Sequence, residues 1–177
     1  MKLPFARTLL ASAAVAAGLM FIAPAQASAQ LGFVVQANYG DDVEFGVGGG
    51  VRFGLGSLTE KQGIRGEATF DYYFPGGGQE FGTFSSDFDY WEINGNLLLD
   101  IKSVQGLYVG AGVNYANFSY NFDGCGLFCD SFDASSSDIG LNALGGYEFP
   151  GSKKLFVQAK IELGGGEQFV VSGGIRF

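Results

Sequence analysis

Histidine is missing from this chain of 177 residues, and charge is scarce, with Lys, Arg, Asp and Glu making up only 16 % of it. Without an imidazole, no catalytic triad or dyad that needs one can be built. Basic residues are few: 10 Lys and Arg stand against 18 Asp and Glu, for a net charge of −8. Nucleic-acid binders carry clustered Lys and Arg, so that partner class is excluded. Cysteine occurs only twice. What is plentiful is glycine, at 30 residues, and aromatic side chains, at 18 Phe, 8 Tyr and 1 Trp. Disordered chains are aromatic-poor and highly charged, so this composition belongs to a folded protein, and its length suits one domain.

Long apolar runs are confined to the beginning. Lys2 and Arg7 precede the uncharged stretch from Leu9 to Ala23, Pro24 breaks it, and Ala27-Ser28-Ala29 offers a small-residue cleavage site. This order predicts a cleaved secretory signal over 1–29 and a mature domain over 30–177. A membrane-spanning helix would need about 20 apolar residues. No Cys follows the cleavage site, so the signal is not of the lipoprotein type. No later stretch is long and apolar enough for a membrane helix, which leaves a soluble chain or a barrel.

After Gln30 apolar residues recur at every second position, the period of a strand. In the last ten residues Phe169, Val171, Gly173, Ile175 and Phe177 share one face. Equivalent alternation predicts strands at about 32–39, 43–55, 64–74, 90–101, 107–118, 138–149 and 155–162, eight in all. Short turns at 56–63, 102–106 and 150–154 would lie on one side. Opposite them would lie links at 40–42 and 163–167 and long loops at about 75–89 and 119–137. Short periplasmic turns facing longer external loops are the pattern of an eight-stranded antiparallel up-and-down transmembrane β-barrel.

The distribution of polarity favours the membrane over water. Glu44, Gly46, Gly48, Gly50, Arg52 and Gly54 alternate with Val43, Phe45, Val47, Gly49, Val51, Phe53 and Leu55. The first set suits a cramped interior, and the second holds no polar residue and suits outer-membrane lipid. Trp91, Tyr72, Tyr115, Tyr147 and Phe149 sit near strand ends, as expected of two aromatic girdles at the membrane interfaces.

The segment Phe169-Val-Val-Ser-Gly-Gly-Ile-Arg-Phe177 resembles the terminal strand of bacterial outer-membrane proteins. Over 31–177 the pattern is similar to the small eight-stranded barrels of the OmpA/OmpX-like superfamily of Gram-negative envelopes. That resemblance implies that Phe177 is read by the barrel-assembly machinery. It also implies a role in envelope integrity or surface adhesion, without catalysis. The sequence given ends with the barrel, so the wall-anchoring role of the peptidoglycan-binding domain of OmpA is not carried over.

Enzymatic barrels of the outer membrane rely on His, and the clusters Ser85-Ser86-Asp87 and Ser135-Ser136-Ser137-Asp138 have no base to activate a hydroxyl. They read as turn-favouring loop residues. Alternation turns Arg52, Arg65, Lys160 and Arg176 inward with Glu44, Glu67, Asp71, Glu92, Asp100, Glu148 and Glu162. Strand direction places Arg52, Arg65, Asp100, Glu148 and Arg176 toward the periplasmic end, with Glu67 and Lys160 nearer the middle. The other acids fall toward the external mouth. Eight strands enclose a space barely wide enough for side chains, and buried charges must pair or be hydrated. The lower cluster is therefore expected to form an ion-pair plug, against the rival reading of a gated cation path.

Cys125 and Cys129 flank Gly-Leu-Phe in the longest loop, and beyond a signal peptide such a pair is expected to form a disulfide. The short turns carry Lys61, Lys102, Lys153 and Lys154, whereas the opposite links carry acids and no Lys or Arg. No cofactor or metal set is evident. The expectation is a non-catalytic outer-membrane barrel of structural or surface-interaction type. Its alternatives are a narrow cation-preferring channel and a secreted lipocalin-like binding protein.

Overall fold

In β1 (Gly32–Gly40) buried and exposed residues alternate without a break: Val34, Gln36 and Asn38 point inward while Phe33, Val35 and Tyr39 point out. The same two-residue period organises β2 (Glu44–Thr59), β3 (Gln62–Tyr73), β4 (Ser85–Asp100), β5 (Leu107–Asp123), β6 (Phe132–Glu148), β7 (Lys154–Leu163) and β8 (Phe169–Arg176). The computed structural model describes residues 31–59, 62–74, 85–123, 132–151, 154–164 and 168–177. The signal expected over 1–29 and the cysteines Cys125 and Cys129 lie outside the described residues.

Each strand pairs antiparallel with its sequence neighbours, and β1 pairs with β8 from Val34↔Arg176 to Gly40↔Val170, which closes the barrel. Closure satisfies every strand edge along the seam, and Phe177 extends it by donating its backbone N–H to Phe33 O at 2.9 Å. The fold is the eight-stranded antiparallel barrel that the alternation predicts. Both described ends of the chain lie at one rim, together with the turns after β2, β4 and β6. This rim is called the terminal end below, and the opposite rim the loop end.

Polarity runs opposite to that of a water-soluble barrel. Outward side chains such as Leu97 and Leu141, each 59 % exposed, form an apolar wall. Inside, Arg52, Glu67, Asp71, Glu92, Asn94, Asn142, Lys160 and Glu162 are all buried. Bulky inward rings are accommodated by glycines directly across the ladder. Tyr108 faces Gly146, and Phe156 faces Gly174. In both pairs a Cβ on the glycine would strike the facing ring, so only the missing side chain lets the aromatic lie flat along the wall.

At the terminal end β2 and β3 stay paired to Thr59↔Gln62, so most of the turn expected over 56–63 is strand, and two features at the loop end also depart from the expected pattern. Strands β4, β5 and β6 run further toward the loop end than 90–101, 107–118 and 138–149. The β4–β5 ladder continues to Ser85↔Asp123 and the β5–β6 ladder to Phe122↔Phe132. Pairing with β3 stops at Tyr73↔Tyr90 and pairing with β7 at Leu141↔Leu163, so a three-stranded sheet stands above the rim. Backbone pairing continues there while polarity changes, since the outward positions become Asn117 and Ser119. The second departure is Glu44, which is exposed, with φ +60°, immediately after the turn that ends β1. It has the inward parity of its strand but stands at the rim, outside the buried interior.

Candidate functional site: the charged lumen

Two buried polar layers fill the described interior. The layer nearer the terminal end is built on Arg52. Its β2 position faces Glu67 of β3 directly in register, and its Nε donates to Glu67 Oε2 at 2.5 Å. The guanidinium Nη2 continues across the lumen to Tyr108 Oη at 3.2 Å and to Gln158 Oε1 of β7 at 3.1 Å. Its carbon lies 4.1 Å from the ring centre of Phe156 and 5.2 Å from that of Tyr108. A guanidinium is weakly hydrated and stacks on aromatic faces, which is why Arg rather than Lys suits this dry position.

Below Arg52, Glu148 draws three arginines together. Arg176 grips it with two bonds, Nη2 to Oε1 at 2.6 Å and Nε to Oε2 at 3.1 Å. Arg65 Nη1 lies 3.3 Å from Oε2, and Arg52 Nη1 lies 3.7 Å from the same oxygen. Arg65 also donates to Asp100 Oδ1 at 2.6 Å. Three cations (Arg52, Arg65, Arg176) thus meet three acids (Glu67, Asp100, Glu148), and the layer is neutral. Charge-assisted, partly bidentate bonds of this kind offset the desolvation that burial imposes.

The second layer, toward the loop end, is built on Lys160 of β7. Its Nζ lies 3.0 Å from Glu92 Oε2 of β4 and 2.5 Å from Glu162 Oε1. Gln168 bridges the same two carboxylates, its Nε2 donating to Glu92 Oε1 at 3.1 Å and to Glu162 Oε2 at 2.9 Å. Asp71 makes no ion pair among the described residues but accepts four hydrogen bonds, from Gln36, Asn38, Thr69 and Asn94, at 2.6–3.0 Å. Asn142 donates to Asn94 and Asn96, and Asn96 donates to Glu67, which ties the two layers together. Lys160 faces Asp71, Glu92 and Glu162 in this layer, so acids exceed cations by two.

The structure therefore brings Arg52, Arg65, Asp100, Glu148, Arg176 and Glu67 into one network and seats Lys160 in the other. Charge reasoning passed over the neutral amides: Gln36, Asn38, Asn94, Asn96, Asn142, Gln158 and Gln168 are as buried as the ions they join. Their signal was present, because each shares the inward parity of its strand.

The outward aromatics gather at two heights. Toward the loop end, Trp91 lies 5.8 Å from Tyr115 and 5.9 Å from Phe70 between ring centres. Tyr72 stands beside Trp91 in register and donates its hydroxyl to Asp89. Toward the terminal end, Tyr147 and Phe149 meet edge to face at 5.1 Å. Among the described residues, no three Asp, Glu or Cys side chains converge as a metal-binding group.

No protein-family model matches the chain, and no curated protein matches it. Solved structures do. A major outer membrane protein from Thermus thermophilus superposes with a TM-score of 0.52 at 16 % identity, over 84 % of this chain and 100 % of that one. Ail, the attachment invasion locus protein of Yersinia pestis, solved with the heparin analogue sucrose octasulfate, gives 0.51 at 13 % identity, over 83 % and 95 %. Identities this low speak for the fold alone: it is the fold of small outer-membrane β-barrels.

Proposed function

We propose that the chain is an integral outer-membrane β-barrel, closed across its lumen, that acts through the surface it displays and not through catalysis. The observation that carries this reading is the inverted polarity of the wall: apolar side chains such as Phe33, Leu97 and Leu141 face outward, and hydrogen-bonded ions face inward. In water such a wall would be a very large exposed apolar patch. In lipid it is the expected surface, because the closed ladder leaves no backbone group unpaired along the seam. A lipocalin-like binder would require the opposite arrangement.

Closure is supported by the bridges from Arg52 to Gln158 and from Lys160 to Glu92, which join strands three places apart around the wall. The loop end carries Asp41, Asp42, Glu44, Asp89 and Asp138, and its connections hold no Lys or Arg. Such a field repels sulfated or phosphorylated polymers and attracts cations or basic protein surfaces. The ligand seen with Ail, a heparin analogue, is therefore a poor fit to this end of the chain. A second reading, a narrow cation-preferring channel, draws on the two excess carboxylates of the loop-end layer.

Fractionation of expressing cells, with a gel comparing heated and unheated samples, tests the first point. The expected result is a heat-modifiable band in the outer-membrane fraction, and protein recovered in the soluble fraction would refute it. Planar-bilayer recording of the refolded barrel separates the closed barrel from the channel.

A further inference from the structure

Just below the lower ion-pair layer, the terminal end opens into a cavity of about 570 Å³. That is within the size range of small-ligand sites. Its charged lining is Arg65, Arg176, Lys102 and Lys154 with Asp100 and Glu148, so cations exceed acids by two. We infer that this basin is an anion site and that the group it takes is phosphate. The inference goes beyond the display reading and stands on the basin's own residues.

Three features make the site more than a patch of basic residues. The acids are already engaged: Glu148 is held by Arg176 and Arg65, and Asp100 by Arg65, so both guanidinium groups are fixed in place before any ligand arrives. Preorganised donors lose little conformational freedom on binding, and the planar fork of Arg matches phosphate oxygens. The basin is also backed by Glu148, which lines it and whose Oε2 lies 3.7 Å from Arg52 Nη1. Finally, Arg65 Nε is buried without a hydrogen-bond partner, and Lys154 makes no ion pair among the described residues. Donor capacity therefore remains unspent at Lys154, which lines the cavity.

Phosphate suits the charge. A phosphomonoester carries about −1.5 to −2 near pH 7, which matches an excess of two cations. The acidic loop end would exclude the same group, so the two ends of the barrel discriminate in opposite directions. The phosphate has two possible sources, a soluble phosphorylated molecule or the headgroup of an anionic phospholipid in the adjoining leaflet.

The test uses the mature chain, isotope-labelled and refolded in dodecyl maltoside micelles, which contain no phosphate. One arm titrates inorganic phosphate and pyrophosphate, and the other compares micelles doped with phosphatidylglycerol or with neutral diacylglycerol. The expected result is saturable movement of the Gly106, Leu107 and Lys154 amide signals in at least one arm, with Asp41 and Asp42 unmoved. A response to the free anions assigns a soluble source, and a response to phosphatidylglycerol alone assigns the headgroup. The double variant Lys102→Ala/Lys154→Ala, at rim positions outside the buried layers, should bind about tenfold more weakly with unchanged heat-modifiability. No saturable response in either arm, or equal affinity in the double variant, overturns the proposal.

Discussion

Arg52 and Gln158 meet at 3.1 Å although 106 residues separate them, and through this contact a side chain rooted in β2 reaches β7 on the far side of the lumen. Removing the arginine would strand Glu67, whose side chain is only 1 % exposed. A buried charge deprived of its partner costs about 3–5 kcal/mol. Arg52→Ala is therefore expected to lower the unfolding midpoint by that order, read in denaturant from the fluorescence of Trp91. Arg65→Ala should cost less, since its pair with Asp100 is partly solvated, at 18 % and 36 % side-chain exposure. Glu44→Ala, at the exposed rim, should cost least. Equal losses in all three variants would refute the ranking.

Gly146→Ala should destabilise the barrel by about 1–3 kcal/mol, because the new methyl group meets the ring of Tyr108 across the ladder. In a Tyr108→Ala background that penalty should fall but not vanish, since the ring is gone while the backbone oxygen of Val157, 2.7 Å from the new methyl position, remains. A double-mutant cycle in denaturant measures it, and simple additivity would exclude the steric account.

Steady pores are not expected from the wild-type protein in planar bilayers. Lys160→Ala removes the cation shared by Glu92 and Glu162 and leaves the loop-end layer with three acids. Water and counter-ions must then enter to solvate them. A small current with a cation-selective reversal potential should follow in this variant alone. Steady wild-type pores would replace the closed barrel with the channel.

Deleting Phe177 should reduce the heat-modifiable form in the outer membrane. The residue ends the closing seam through its bond to Phe33 O, and its side chain is 69 % exposed, available to be read during assembly. Undiminished outer-membrane levels would show that the terminal residue is dispensable.

Mass spectrometry of mature protein should find Cys125 joined to Cys129. Reduction should leave the folded band in place, because the barrel's seam and both polar layers are made without either residue. Free thiols in protein taken from the envelope would contradict the first part, and loss of the folded band the second.

Most of the wall was legible from the sequence because the lumen and the lipid impose opposite demands on adjacent residues. Leu155, Val157, Ala159 and Ile161 against Phe156, Gln158, Lys160 and Glu162 leave no ambiguity of face. The extended ends of β4–β6 were harder to read. At Asn117-Phe118-Ser119-Tyr120 the alternation persists, but its apolar half changes sides, and a template for lipid-facing strands ends there. The partners of the ions were hidden for another reason. Period gives the face and approximate height of Arg52, but whether it meets Glu67, Gln158 or Glu148 depends on register and on side-chain reach across the lumen.

The transluminal bonds also set an order of events. Lys160 and Glu92 are 68 residues apart, and the strands that close the seam, β1 and β8, come from opposite ends of the fold. Contacts this distant in sequence make folding slow and strongly cooperative. The bonds that cross the lumen, Arg52 to Gln158 and Lys160 to Glu92, cannot form in a sheet of β1–β4 alone, which would present Glu92 to the acyl chains without its cation. The seam adds the last condition: until β8 pairs with β1, both strands keep an open edge, and an open edge has no backbone partner in hydrocarbon.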